Sequence, residues 1–311
     1  MGTRTLITGA AGFVGSHLAQ HCLDQGDEVQ GLSRRASVKG GQSIVCDLLD
    51  LEAAKRSVAS AQPDVVHHLA ALASTGRSWQ DPTRCINDNQ TMTWNLLEAV
   101  RSEAPEAIVL LAGSGESYGR PQALPISEDH PLAPTSPYAI AKTSCDLIGG
   151  LFAEAHGLKV IRARAFNHAG PNQAGEFLIG SLVAQVATAV ASGEDSVSLR
   201  TGSGEIRRDY TDVRDVVRAY RDLGLSDTRG VVNVCRGAST STAEIVALVA
   251  QSAADRIQVE HLVDEALIRP HETPEVVGSP DLINRLIGWQ AEIPLEQTVG
   301  DALDAALAAS A

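Results

Sequence analysis

The chain has no basic run. Among its 311 residues, 38 acidic side chains outnumber 25 basic ones for a net charge of -13, and the two signs are scattered. This balance argues against nonspecific binding to nucleic acid or to an anionic membrane surface, so an anionic ligand must meet arginines gathered locally. Cysteine is scarce too: Cys22, Cys46, Cys85, Cys145 and Cys235 stand far apart without C-x-x-C spacing. They suggest neither a disulfide framework nor a zinc site, and they fit a reducing cytoplasm. No basic segment followed by an apolar one precedes the strand-like start at Thr3 to Ile7, so no leader is expected. The most apolar long stretch, Phe177 to Ala191, is interrupted by Gly180, Ser181 and Gln185. It is too short to span a bilayer and reads as a buried or interface helix. His67 and His68 are adjacent in a strand and point to opposite faces, so no metal is assigned to them.

What is present is a rhythm. Short apolar runs at Leu6-Ile7, Val29 to Leu32, Ile44-Val45, Val65 to Leu69, Ile108 to Leu111 and Val160 to Ala165 alternate with helical patterns at Val14 to Gln25, Leu51 to Ala61, Thr83 to Glu103 and Ser136 to His156. Such alternation implies an α/β fold, a Rossmann-like doubly wound parallel sheet covered on both faces. After residue 165 the pattern changes. Asn167 to Gly175 is polar and turn-rich, and Val231 to Cys235 offers one further strand. The expected organisation is a dinucleotide-binding domain over 1–165 with a returning part near 209–236. A smaller, partly interleaved nucleotide-sugar-binding lobe would take 166–208 and 237–311. No repeat, low-complexity segment or long linker is present, and Pro121 to Pro137, with five prolines, is the one extended loop.

The first strand runs straight into Gly9-Ala10-Ala11-Gly12-Phe13-Val14-Gly15. Glycines at this strand-to-helix junction permit a tight turn and the close approach of a pyrophosphate, whose charge then faces the helix N-terminus. The spacing is G-x-x-G-x-x-G. At the end of the second strand, where an acid would bond the adenosine ribose of NAD, the chain has Ser33-Arg34-Arg35. Arginines suit a 2′-phosphate, so NADP(H) is preferred and NAD(H) remains possible. Asp47 with Leu48 after the third strand could meet the adenine, although Asp47 could equally cap a helix. Leu69, Ala70 and Ala71 close the fourth strand beneath the cofactor.

Two dozen residues after Ser114-Gly115-Glu116 come Tyr138 and Lys142 as Tyr-Ala-Ile-Ala-Lys. One helical turn separates phenol from ammonium, so the lysine with an oxidised nicotinamide could favour the phenolate and make the tyrosine a usable acid at neutral pH. With Gly9 to Gly15, His68 to Ala71, Asn89, Ser114 to Gly119 and Ser136 to Tyr138, the chain resembles the extended short-chain dehydrogenase/reductases that act on nucleotide sugars. The stretches Arg164 to Pro171, Arg208 to Asp215, Val232 to Cys235 and Arg269 to Glu272 look like GDP-6-deoxy-4-keto-mannose reductases, which form GDP-rhamnose. Arg34 to Ser37 also looks like the related GDP-mannose 4,6-dehydratases. Met92 departs from a glycine usual in the family, and His271 from a small residue.

The resemblance implies that Ser114 donates to the C4 carbonyl of a nucleotide-linked 4-keto-6-deoxyhexose and that Tyr138 protonates the alkoxide. Lys142 would tune the phenol and hold the nicotinamide ribose, while Glu116 would contact a sugar hydroxyl or act as auxiliary base. Substrate contacts are expected at Ser74, Asn89, Asn167, Arg208, Arg269 and Glu272. In the dehydratases the segment aligned with residues 114–116 usually reads Thr-Asp-Glu or Thr-Ser-Glu, and its second and third side chains assist loss of water, of which Glu116 alone is a partial set. Gly115 has no side chain, which favours ketone reduction over dehydration. A 4-epimerase of the same family and a non-catalytic NADP(H) sensor are the alternatives. The helices at 83–103 and 136–156 are, by the same resemblance, the pair that forms a homodimer through a four-helix interface.

Overall fold

A computed structural model describes residues 2–34, 40–268 and 272–310. In chain order the strands are β1 (Arg4–Thr8), β2 (Glu28–Ser33), β3 (Gln42–Val45), β4 (Val65–His68), β5 (Ile108–Ala112), β6 (Lys159–Ala165), β7 (Asn167–Ala169), β8 (Ser196–Thr201), β9 (Arg207–Asp212), β10 (Gly230–Val234), β11 (Ser239–Ser241), β12 (Gln258–Val263) and β13 (Glu275–Val276). The helices are α1 (Phe13–Asp24), α2 (Leu51–Ala61), α3 (Thr75–Ser78), α4 (Pro82–Glu103), α5 (Pro137–His156), α6 (Leu178–Ala191), α7 (Val213–Gly224), α8 (Thr242–Ala253), α9 (Asp281–Ile287) and α10 (Leu295–Ser310).

Seven parallel strands form the main sheet in the order β10-β6-β5-β4-β1-β2-β3. Its central strands are apolar on both sides because both faces are covered, as parallel sheets require. Ile7 faces a core shared with Leu18 and Cys22 of α1, Val216 and Tyr220 of α7, and Trp289. Leu6, its neighbour, faces the opposite core with Val58 of α2, Leu96 and Val100 of α4, and Phe152 of α5. The order reverses between β1 and β4, and the crevice beyond the carboxyl ends of those strands is where such sheets bind ligands.

Start signals written into the sequence place the helices at that crevice. Asp81 accepts from the Arg84 amide ahead of Pro82, and Ser136 accepts from the Ala139 amide ahead of Pro137. Each side chain satisfies an orphan N–H, and proline at the first helical position gives up none. Gly157, at φ +69°, ends α5 in the left-handed region.

The second lobe has its own core, in which Leu182 and Val186 of α6, Ile245 and Val249 of α8, and Val299 and Leu303 of α10 pack together. A small sheet (β11-β9-β13, with β7 also on β9) and the β8–β12 pair complete it. The polar segment from Asn167 is a strand for three residues, because β9 supplies the ladder partners.

Candidate active site

The glycine turn after β1 is shaped for close approach. Gly9 has φ +68°, and a Cβ there would lie 2.8 Å from the Ala70 nitrogen. At Gly15 a Cβ would lie 2.7 Å from Ala10 Cα and closer still to the Gly9 carbonyl oxygen. Gly12 donates to that carbonyl at 2.9 Å and caps α1 with no side chain of its own. The first N–H groups of α1 therefore meet no capping side chain, which suits an anionic pyrophosphate, and the residues present fit a dinucleotide. Phe13 and Val14 begin the helix, half-buried.

Around the adenosine end, Arg34 is exposed just past Ser33 at the end of β2, while Arg35 lies outside the described residues. Asp47 is exposed and accepts from the Leu49 amide at 3.1 Å. Capping of α2 falls to Asp50, which accepts from Ala53 at 3.0 Å, so the capping alternative for Asp47 does not hold. Leu48 is buried and its carbonyl receives the Asn95 amide.

Beneath the crevice a buried polar strut joins three elements. The Thr8 hydroxyl accepts from the Leu69 and Ala70 amides at 3.2 and 3.1 Å and pairs with His68 Nδ1 at 2.8 Å. His68 Nε2 in turn meets the Thr93 hydroxyl at 3.1 Å, and Thr93 donates to the Asn89 carbonyl. Burial, followed by the Lys142 charge, pushes the His68 imidazole down to about 3, so the ring is neutral. Asn89 is also buried; its side chain accepts from the Leu72 amide and donates to the Leu72 carbonyl. Its amide is thus spent on holding the loop after β4, which differs from the sugar contact expected of it.

Ser114 closes the segment after β5, and its hydroxyl caps the 3₁₀ turn Gly115–Tyr118 by accepting from Glu116 at 3.2 Å. The Tyr138 phenol lies close enough to the Ser114 hydroxyl for that group to favour the phenolate. Burial, then the Glu116 charge, holds the phenol well above its ordinary range, with Ser114 pulling the other way. Lys142 is buried and its ammonium donates to the Ala112 carbonyl at 2.7 Å; burial lowers its pKa. The structure therefore brings Ser114, Tyr138 and Glu116 together, while the lysine is secured on the end of β5. In this arrangement the tyrosine is a protonated phenol at neutral pH, a donor rather than a base.

The other groups expected to meet substrate lie on several elements. Ser74 caps α3, and Thr75 donates to Glu116 at 2.9 Å. Asn167 is exposed on β7. Arg208 reaches Glu272 at 3.3 Å and the Thr273 carbonyl at 2.9 Å, so these two expected residues meet; Arg269 lies outside the described residues. Arg214 is bound to Asp212 and Asp301, and Asp215 to Arg218, which makes them structural ion pairs. Sequence reasoning passed over His168, whose ring stacks on Phe13 with centroids 6.2 Å apart and planes at 12°, joining the glycine turn to the second lobe. Its place beside Asn167 was the available signal. Among the described residues no group of three His, Cys, Asp or Glu could hold a metal, and no helix is long and apolar enough to cross a membrane.

Known proteins resemble the chain in sequence and in fold. The chain is 32% identical to GDP-6-deoxy-D-mannose reductase of Pseudomonas aeruginosa, covering 96% of this chain and 95% of that protein. It is 29% identical to UDP-glucose 4-epimerase of Mycolicibacterium smegmatis, covering 97% of each. Among solved structures, RMD from Pseudomonas aeruginosa complexed with NADPH superposes with a TM-score of 0.85 at 29% identity, covering 99% of this chain and all of that one. A putative epimerase from Burkholderia cenocepacia superposes with a TM-score of 0.87 at 31% identity, covering 98% of both chains. Residues 6–302 match the family model described as GDP-mannose 4,6 dehydratase, and the chain belongs to that family of nucleotide-sugar dehydratases, reductases and epimerases.

Proposed function

We propose that the protein is a 4-ketoreductase that uses NADPH to reduce the C4 ketone of a nucleotide-linked 4-keto-6-deoxyhexose, converting GDP-4-keto-6-deoxymannose to GDP-rhamnose. The observation that carries this reading is at Gly115. A Cβ there would lie 3.1 Å from Phe166 Cγ, so a side chain assisting dehydration could start there only if the ring gave way by a few tenths of an ångström. Elimination needs both a base for the C5 proton and an acid for the departing hydroxyl, whereas reduction needs one proton donor. Tyr138, held protonated, supplies that donor.

In this reading Ser114 donates to the C4 carbonyl oxygen and Tyr138 gives its proton to the oxygen as the C=O bond becomes C–OH. A reduced nicotinamide supplies the hydride to C4. Lys142 would donate to the nicotinamide ribose, and Arg34 and Arg35 would receive a 2′-phosphate. Arg208, Glu272, Arg269 and Asn167 would receive the diphosphate and its nucleoside, with Ser74 and Glu116 at the sugar. NADP(H) is the preferred coenzyme, consistent with the NADPH complex of RMD; NAD(H) remains possible, since the UDP-glucose 4-epimerase of Thermus thermophilus was solved with NAD.

Exposed Ile140, Leu147 and Leu151 line one side of α5, next to exposed Trp94 of α4. This apolar face supports the homodimer through a four-helix interface, which light scattering of Leu147→Asp against the parent chain tests; a monomeric parent removes it. All five cysteines are free and buried, consistent with a cytoplasmic protein. The decisive assay follows NADPH absorbance with GDP-, dTDP-, UDP- and CDP-linked 4-keto-6-deoxyhexoses. Consumption with the GDP sugar supports the proposal. Release of ketosugar from GDP-mannose without net NADPH consumption refutes it in favour of a dehydratase.

A further inference from the structure

The reacting groups sit on two separate elements. Ser114 precedes the turn Gly115–Tyr118, and Tyr138 and Lys142 lie on α5. A buried charge cluster spans the two. Asp146 follows Tyr138 by eight residues and Lys142 by four, so all three share one stripe of α5. Its carboxylate accepts from Arg164 Nε at 2.7 Å, from Arg164 Nη2 at 3.2 Å and from Arg162 Nη1 at 3.0 Å. The remaining Arg164 nitrogen, Nη1, donates at 3.1 Å to the hydroxyl of Tyr118, the last residue of the turn. That hydroxyl donates onward to Asn233 Oδ1 at 2.7 Å, and the guanidinium carbon stands 4.9 Å from the Tyr118 ring centroid. Asp146, Arg164 and Tyr118 are only 3%, 4% and 0% exposed.

Burying charge here is an expensive way to hold two elements together, since apolar packing often does so as well or better. What the fork of a guanidinium adds is direction: it fixes translation and rotation along the helix, which a greasy contact leaves loose. A glycine even makes room for the second cation, because a Cβ at Gly150 would lie 2.9 Å from Arg162 Nη1. We propose that Arg164, with Asp146 and Tyr118, is a positioning unit that sets the Ser114 hydroxyl against the Tyr138 phenol. Its side chains are buried and spent on one another, and the inference rests on the reading that Ser114 and Tyr138 carry the reduction.

The test uses the full chain with Tyr118→Phe, which removes one hydroxyl and keeps the ring, and Arg164→Lys, which keeps the charge and loses the fork. With GDP-4-keto-6-deoxymannose and NADPH, both variants should lose about tenfold or more in kcat, because small misplacements of reacting groups cost that much. The NADPH dissociation constant should stay within about twofold. The isotope effect with NADPH deuterated at C4 should rise as hydride transfer becomes slower. A folded Tyr118→Phe protein with kcat and isotope effect unchanged overturns the inference, as does NADPH binding that weakens by the same factor as kcat. If the parent chain reduces no ketosugar, the reduction reading fails by itself, and hydrogen exchange decides the inference. Faster exchange in both 113–119 and 137–146 under Tyr118→Phe supports the unit, and a change confined to either segment refutes it.

Discussion

Substituting Gly15→Ala tests the cofactor cradle with a single methyl group. The added carbon would meet Ala10 Cα at 2.7 Å and the Gly9 carbonyl carbon at 2.9 Å. Carbon atoms rest comfortably at about 3.5–4.0 Å, so the turn must part from α1 by roughly 1 Å. The turn cannot retreat freely, because the Gly9 amide is bound to the Leu32 carbonyl at 2.9 Å and the Gly9 carbonyl accepts from Gly12 at 2.9 Å. Overpacking of this kind costs about 1–3 kcal/mol. Falling on the segment that would meet the pyrophosphate, where helix-end attraction fades within one turn, the strain should appear in binding. At 1.4 kcal/mol per decade, NADPH affinity should fall by about tenfold or more, with a loss of a few degrees in Tm. Fluorescence titration of NADPH reads the affinity directly. Gly175→Ala, which places its Cβ in open space, serves as the control and should leave affinity within about twofold. A folded Gly15→Ala protein binding NADPH as tightly as the parent would refute the cradle.

Tyr138→Phe should lower kcat by about 100-fold or more and Ser114→Ala by a comparable factor, both with NADPH affinity retained in equilibrium titration. Arg208→Ala should raise the KM for the nucleotide sugar more than it lowers kcat if the guanidinium, held beside Glu272 and the Thr273 carbonyl, receives the diphosphate as proposed; equal losses in both would contradict this. Asp209 is fully buried and, despite amides from Arg236, Gly237 and Gly278, burial pushes its carboxyl up to about 6. A folded-state pKa above the unfolded one means that the native protein holds the proton more tightly, so the group's contribution to stability is largest below about pH 4 and is lost as pH rises through about 6. Asp209→Asn should therefore flatten the pH dependence of Tm between those values, and an unchanged slope would count against the buried carboxyl.

The parts of the fold that were legible are those encoded locally. Leu6-Ile7 followed by Gly9 to Gly15 announces a strand, a tight turn and a helix within a dozen residues, and Tyr138 with Lys142 needs only one helical turn to align. What stayed hidden depends on residues far apart in the chain. Arg164 finds Tyr118 across 46 positions, and Tyr118 finds Asn233 across 115, with no periodicity to mark either pairing. The small sheet was obscure for a related reason: β9 reads Arg-Arg-Asp-Tyr-Thr-Asp, and its strand character comes from β7, β11 and β13 alongside it. Lys142 shows how spacing can place a residue while one of its hydrogen-bond partners stays hidden. Its turn of α5 puts it where expected, yet a buried ammonium must be paired, and the end of β5 offers the Ala112 carbonyl. Helix periodicity fixes which face a side chain occupies, whereas its hydrogen bonds are set by the neighbouring strand; the Tyr138 phenol is held protonated by its own burial and by the Glu116 charge, and a protonated phenol is the form a reductase needs.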